Sequence, residues 1–156
     1  MQIDNKHYDH ERHDQYHAIS VKQPFAQDLV TQCRQDENGT YATKEIEVRN
    51  RRTTYRGDVL ICSSKTPELK GYISGATLGF VELYDCKPVS EFTAEDWDKT
   101  RIPRSKRASI KKGYGWFFRN PRRVIEMPIK GQLGIYKITT PKGDITEYPQ
   151  IVIYDK

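Results

Sequence analysis

The sequence predicts a β-rich, mixed α+β domain: a small β-barrel flanked by short helices. Three observations predict it. Apolar runs of strand length recur along the chain, at HAISV (17–21), DVLICSS (58–64), TLGFVELYDC (77–86) and GIYKITT (134–140). Helical signals are few and short. No internal repeat or second composition divides the 156 residues, a length that suits one domain with a real core.

Residues 1–16, MQIDNKHYDHERHDQY, are polar and poor in aliphatics, which predicts a mobile or loosely helical leader ahead of a domain spanning 17–156. Its histidines, His7, His10 and His13, have no accompanying cysteine and do not share one helical face. They read as solvated side chains, not metal ligands. HAISV is then a strand, and Pro24 opens a helix in which Phe25, Leu29 and Cys33 share a face. RQDENGTYAT reads as a loop turning at Asn38-Gly39.

KEIEVRN (44–50) follows as a strand with Ile46 and Val48 on one face and Glu45, Glu47 and Arg49 on the other. That charged face is either solvated surface or the wall of a polar cleft. DVLICSS and TLGFVELYDC are apolar at nearly every position, as strands buried on both faces are. TPELKGYIS between them is a polar connection. Thr93 is a good N-cap for TAEDWDKT, with Asp96 three residues on and Trp97 as its anchor. Strands return in VIEMPIKG, GIYKITT and EYPQIVIY, the last two separated by the turn Pro141-Lys142-Gly143.

Net charge is +5 with a pI near 9.0, which makes an acidic partner plausible, nucleic acid first. Residues 101–123 carry nine Lys or Arg and no acid, around the aromatic patch GYGWFF (113–118). Cations neutralise phosphates and rings stack on bases, so Tyr114 and Trp116 are candidate nucleic-acid contacts. Alternation puts Tyr114, Trp116 and Phe118 on one strand face and Phe117 and Arg119 on the other, so one ring set belongs to the core. The three cysteines are widely spaced and odd in number, as expected of reduced thiols in a cytoplasmic protein; no apolar leader or membrane-length run is present. Phosphate-binding glycine loops, G-x-S-x-G and H-E-x-x-H are absent, and no cofactor is expected.

Glu82 lies in an otherwise apolar strand, so its carboxylate is either paired, hydrogen-bonded or raised in pKa within a cleft, with Lys65 and Lys44 as the candidate partners, or exposed at a solvated bulge or barrel rim.

Four blocks in order, HAISVKQPFAQDLV, KEIEVRNRRTTYRGDVLICSSK, GATLGFVELYDC and NPRRVIEMPIKGQLGIYKI, resemble the ASCH domain, a branch of the PUA-like superfamily. The resemblance covers about residues 17–138. The family's G-x-K-x-x-E-x-R pattern is matched at Lys44, Glu47 and Arg49, without its glycine; Gln23 matches its Q-P-W/F element and Lys65 the basic end of its second barrel strand. The resemblance implies a PUA-like barrel over a polar cleft that binds RNA or a modified nucleoside. Gln23, Lys44, Glu47, Arg49, Arg52 and Lys65 would then contact nucleic acid, with a protein partner as a further option. It also implies an enzymatic alternative, a small hydrolase of an N4-acetylcytidine-type amide or of RNA, with Lys44 catalytic and Glu82 or Glu47 as its carboxylate partner. In the amidohydrolase group a threonine follows the lysine by three residues. Here that position is Glu47, and a carboxylate does not replace a hydroxyl nucleophile.

Overall fold

The apolar runs become neighbouring strands of one sheet in the computed structural model, which describes residues 2–149. In chain order the elements are β1 (His13–Val21), α1 (Phe25–Val30), β2 (Gln32–Asp36), β3 (Gly39–Ala42), β4 (Ile46–Arg49), β5 (Gly57–Ser63), β6 (Thr77–Pro88), α2 (Ala94–Lys99), α3 (Arg104–Arg107), β7 (Tyr114–Arg123) and β8 (Ile135–Pro141). Six strands pair in the order β4-β7-β6-β5-β1-β8, and β2-β3 forms a separate hairpin. Only β1 and β5 run parallel within the six, from His17 opposite Val59 to Val21 opposite Ser63.

Alternation along β5 explains its unbroken apolar run. Val59 and Ile61 enter one core cluster with Ile19, Val81, Leu83, Trp116, Phe118 and the α1 residues Ala26, Leu29 and Val30. Leu60 and Cys62 enter a second cluster on the opposite face, with Ala18, Phe80, Val124, Tyr136 and Ile138. Both faces are therefore dry, and each side chain adds about 25 cal/mol per Å2 of apolar area removed from water. The expected split of the aromatic patch follows: Trp116 and Phe118 are in the first cluster, with Tyr114 packed against it.

The sheet is strongly curled but remains open. β4 and β1 are separated by three strands, yet the Arg49 guanidinium donates to the Ser20 carbonyl at 3.4 Å. Among the described residues no ladder joins β4 to β8 or β1, so the expected barrel is not closed by backbone pairing. β4 has four residues and the chain leaves it as coil, so a side chain makes the contact that a longer strand would make through its backbone.

Three other expectations differ from the structure. The supposed loop after α1 is the β2-β3 hairpin. Its turn-rich sequence is overridden by tertiary partners: Arg34 grips Glu45 through two bonds of 2.6 and 3.0 Å and lies over Tyr41, and Asn120 accepts from the Thr40 amide at 3.1 Å. Among the described residues VIEMPIKG makes only single bridges, Val124 to Glu147 and Pro128 to Ala76, and Pro128, with no N–H to donate, interrupts a ladder there. β1 begins at His13, inside the stretch read as a leader, and Ile3 bridges to Thr139 of β8. The run EYPQIVIY lies largely outside the described residues.

Thr93 and Asp96 form the expected reciprocal cap of α2, at 3.1 and 3.0 Å. On the other side of the fold, α1 rests directly on β6 at Gly79. A Cβ there would lie 2.7 Å from the Arg122 carbonyl and 3.0 Å from Val30 Cβ. Gly79→Ala is therefore expected to destabilise the fold by about 1–3 kcal/mol through overpacking. Urea denaturation measures it, and an unchanged midpoint would show that α1 rides freely over the strand.

Candidate functional site

The charged strand is turned the opposite way to a solvated surface strand. Residues directly opposite in an antiparallel pair share a face. Glu47 is opposite Trp116, so Glu47 and Arg49 point to the inner, concave side of the sheet. Ile46 is opposite Phe117 and lies on the outer side, fully buried. There Gly115 leaves the space: a Cβ at that position would meet Phe92 at 2.3 Å and Ile46 at 3.0 Å. An outer aromatic cluster of Phe92, Trp97 and Phe117 thus covers the apolar face of β4, and its charged face lines the interior.

Lys44, just before β4, is the most unusual residue of the site. Its side chain is 2% exposed. The ammonium donates to the carbonyl of Thr100, which closes α2, and lies 3.4 Å from Glu47 Oε1 and 4.8 Å from the centre of the Phe25 ring. The Lys44 amide also donates to the Asp28 carbonyl in α1 at 3.0 Å. Burial pushes Lys44 below its ordinary pKa, against the pull of Glu47 and Asp28. Asp28 is itself pushed up by burial, opposed by Arg101 and Lys44.

Glu47 is shared between two cations: its other oxygen, Oε2, lies 3.3 Å from Arg49 Nη1. That same nitrogen reaches Ser20, and Ser20 lines a cleft of about 900 Å3. One wall of the cleft is the loop after β5, with Ser64, Lys65, Glu68 and Ser74. The other is the loop before β8, with Ile129, Lys130, Gly131 and Leu133. Among the described residues only Nη1 of Arg49 is hydrogen-bonded, which leaves its other N–H donors to a ligand.

The remaining predicted residues divide. Lys65 is exposed on the cleft wall. Gln23 is buried and holds that wall in place: its amide donates to the Ile73 carbonyl at 2.9 Å and accepts from the Gln27 amide at 2.9 Å. Arg52 is exposed on the coil after β4. Tyr114 is half-buried against the core, and Trp116 is 3% exposed with its indole N–H donated to the Arg51 carbonyl at 2.9 Å. Trp116 thus has no free face for a base. Glu82 is not brought to Lys44 or Lys65. It lies opposite Arg119 on β7, which binds it through bonds of 3.2 and 3.0 Å, and Asn120 adds a third of 2.9 Å. The Arg119 bonds hold its carboxyl below the usual carboxylate range.

Sequence reasoning missed Thr100, Phe25 and Ser20. Thr100 contributes a backbone carbonyl, which no side-chain pattern announces, and Ser20 is one of many serines. Phe25 reads from the sequence as a helix-face residue, and its contact with Lys44 depends on a partner 19 positions along the chain.

No family model matches the chain, and no curated protein sequence does. The fold has solved counterparts. The ASCH protein of Zymomonas mobilis is 12% identical, with a TM-score of 0.58 over 78% of this chain and 85% of that one. Two single-residue mutants of the same protein, a Tyr-to-Phe and a Ser-to-Ala form, superpose with TM-scores of 0.58 and 0.57, at 12% identity and 78% coverage of this chain and 88% and 86% of theirs. In class, the chain is a curled-sheet α+β protein with a charged strand face turned to the inner side of its sheet. In particular, its fold is that of the ASCH-domain proteins, as the four sequence blocks implied.

Two predictions test the geometry. Lys44→Ala would strand the Thr100 carbonyl and the Glu47 carboxylate, a loss of about 3 kcal/mol in urea denaturation. A change below about 0.5 kcal/mol would mean that the ammonium is not engaged. Glu82 has a folded pKa below its reference of 4.5, so its contribution is full above that value and is lost as pH falls through the lower folded value. Glu82→Gln should be less stable than wild type near neutrality and should converge on it in acid; parallel pH profiles would refute the pairing with Arg119.

Proposed function

We propose that this chain is an ASCH-domain nucleic-acid-binding module that holds RNA or a modified nucleotide in the cleft beside Lys44, Glu47 and Arg49. The observation that carries this reading is the charge set beside the cleft. Lys44 and Arg49 share the single carboxylate of Glu47, and Arg49 reaches Ser20 of the cleft lining, so a surplus of positive charge stands next to the cleft. A net cation with unused guanidinium donors suits a phosphate or sugar oxygen better than a neutral ligand. Lys65 and Lys130, one on each wall, add cations at the rim against Glu68. Pro128, Ile129 and Leu133 supply apolar surface for a base; Leu133 is 99% exposed. Glu47 is an acceptor for a ribose hydroxyl or an exocyclic amine. Arg52 extends the contact to the strand backbone.

The hydrolase alternative rests on one observation, the lowered pKa of Lys44 beside a carboxylate. Of the two carboxylates offered as its partner, Glu47 and not Glu82 is the one beside it. The ammonium is also engaged by Thr100, which suits a positioned cation better than a free base.

Fluorescence anisotropy with labelled oligoribonucleotides tests the binding reading. Affinity should fall with salt at a slope of about −0.7 per phosphate contacted. The Arg49→Ala, Lys65→Ala double variant should bind more than about tenfold more weakly, with its folding checked by circular dichroism. Unchanged affinity in that variant would remove the cleft from consideration. Turnover of an acylated nucleoside by the wild type would overturn the binding-only assignment.

A further inference from the structure

The nine cations of residues 101–123 are two populations. The last three are tied down: Arg119 on Glu82, Arg122 on Asp58 at 2.6 Å and Glu147 at 3.5 Å, and Arg123 on Glu126 at 3.1 Å. In the first six, only Arg107 makes an ion pair among the described residues, with Asp98 at 2.8 Å. Arg101, Arg104, Lys106, Lys111 and Lys112 are exposed. Residues 87–112 hold eight cations against four carboxylates, so they supply +4 of the chain's net +5.

This segment is a built surface and not a loose tail. Arg107 anchors it through the Ile102 carbonyl at 2.8 Å as well as Asp98. The amides of Lys106 and Ile110 close successive turns onto Pro103 and Arg107. Beside it lies a hollow of about 350 Å3, walled by Trp97, Val89 and Ile110, with Arg107 and Lys111 at its edge. Trp97 is half-buried, and Phe92 meets it edge-on, with ring centres 4.9 Å apart. A fixed indole, an apolar lining and flanking cations are the three things a stacked nucleotide needs.

We propose that the Trp97 hollow and the cations of 101–112 form a second single-stranded RNA site, apart from the cleft, in which Trp97 takes the stacking role that buried Trp116 cannot. The site rests on RNA being the partner. Its inner end is tied to the charged strand, since Thr100 is held by Lys44. An oligonucleotide is long enough to engage this surface, and a single nucleotide held in the cleft is not. An acidic protein segment would meet the same cations but has no need of the indole.

The test compares uridine monophosphate with an oligouridylate of about twelve nucleotides on the full chain. Replacing Arg104, Lys106, Lys111 and Lys112 by Glu should weaken the oligomer by more than about tenfold and flatten its salt slope by about 3, with monophosphate binding unchanged. In a Trp116→Phe protein, which leaves Trp97 as the one tryptophan, the oligomer should quench the fluorescence and the monophosphate should not. Arg49→Ala with Lys65→Ala should abolish monophosphate binding and leave the Trp97 quenching by the oligomer in place. If that cleft variant changes nothing and the charge-reversed variant still loses the oligomer, the cleft reading falls and this site stands. Full oligomer affinity after charge reversal, no quenching of Trp97 at saturation, or equal binding of polyglutamate overturns the proposal.

Discussion

An ammonium taken out of water costs several kcal/mol unless it is bonded and paired, and the architecture around Lys44 is organised by that requirement. Three elements supply what it needs. The end of α2 gives the Thr100 carbonyl, β4 gives the Glu47 carboxylate, and the start of α1 gives the Phe25 ring. None of the three could shift alone without leaving a buried charge uncompensated. The Lys44 amide bond to Asp28 and the Glu45 amide bond to the Lys99 carbonyl, both 3.0 Å, fix the backbone in the same sense. Lys44 is also the cation at the open end of a six-residue helix, where positive charge is favoured.

The same constraint explains why a strand as polar as β4 sits against the core. With Lys44 placed, Glu47 has a reason to face inward. With Glu47 inward, Arg49 two residues on takes the same face and completes a chain of charges, Lys44–Glu47–Arg49–Ser20. That chain crosses the gap that β4 is too short to close by pairing. A polar network thus does at the sheet's mouth what a ladder would do in a closed barrel. It leaves the mouth lined with donors, which a ladder would not.

Much of the fold was legible because it rests on patterns of period two. The doubly buried β5, the face assignment of Trp116 and Phe117 and the Thr93–Asp96 cap follow from residue type and spacing. What was not legible depended on partners distant in sequence. Glu82 could be seen to need a partner, but nothing local distinguishes Arg119 from Lys65. The β2-β3 hairpin is built from turn formers and is held by Glu45, Asn120 and Tyr41, outside or across its strands. In the site, Lys44, Glu47 and Arg49 were singled out by the resemblance to the ASCH pattern, and their inward orientation was decided by the register with β7. Spacing names a face, and only the partner strand says which face is inside.

Glu47 shows how far stability and recognition are coupled here. A threonine at that position would leave Lys44 without its carboxylate, and Arg49 would lose the anion that orients it. The glutamate instead neutralises one of two neighbouring cations and holds both at fixed distances, so the surplus charge has a defined location. A preorganised charge loses little entropy when an anion arrives, which favours affinity for a phosphate. It disfavours general-base chemistry, because the Lys44 ammonium would have to lose a proton, and with it the ion pair to Glu47, before it could act as a base. The residue that secures the fold at this point is thereby the one on which the proposed recognition rests.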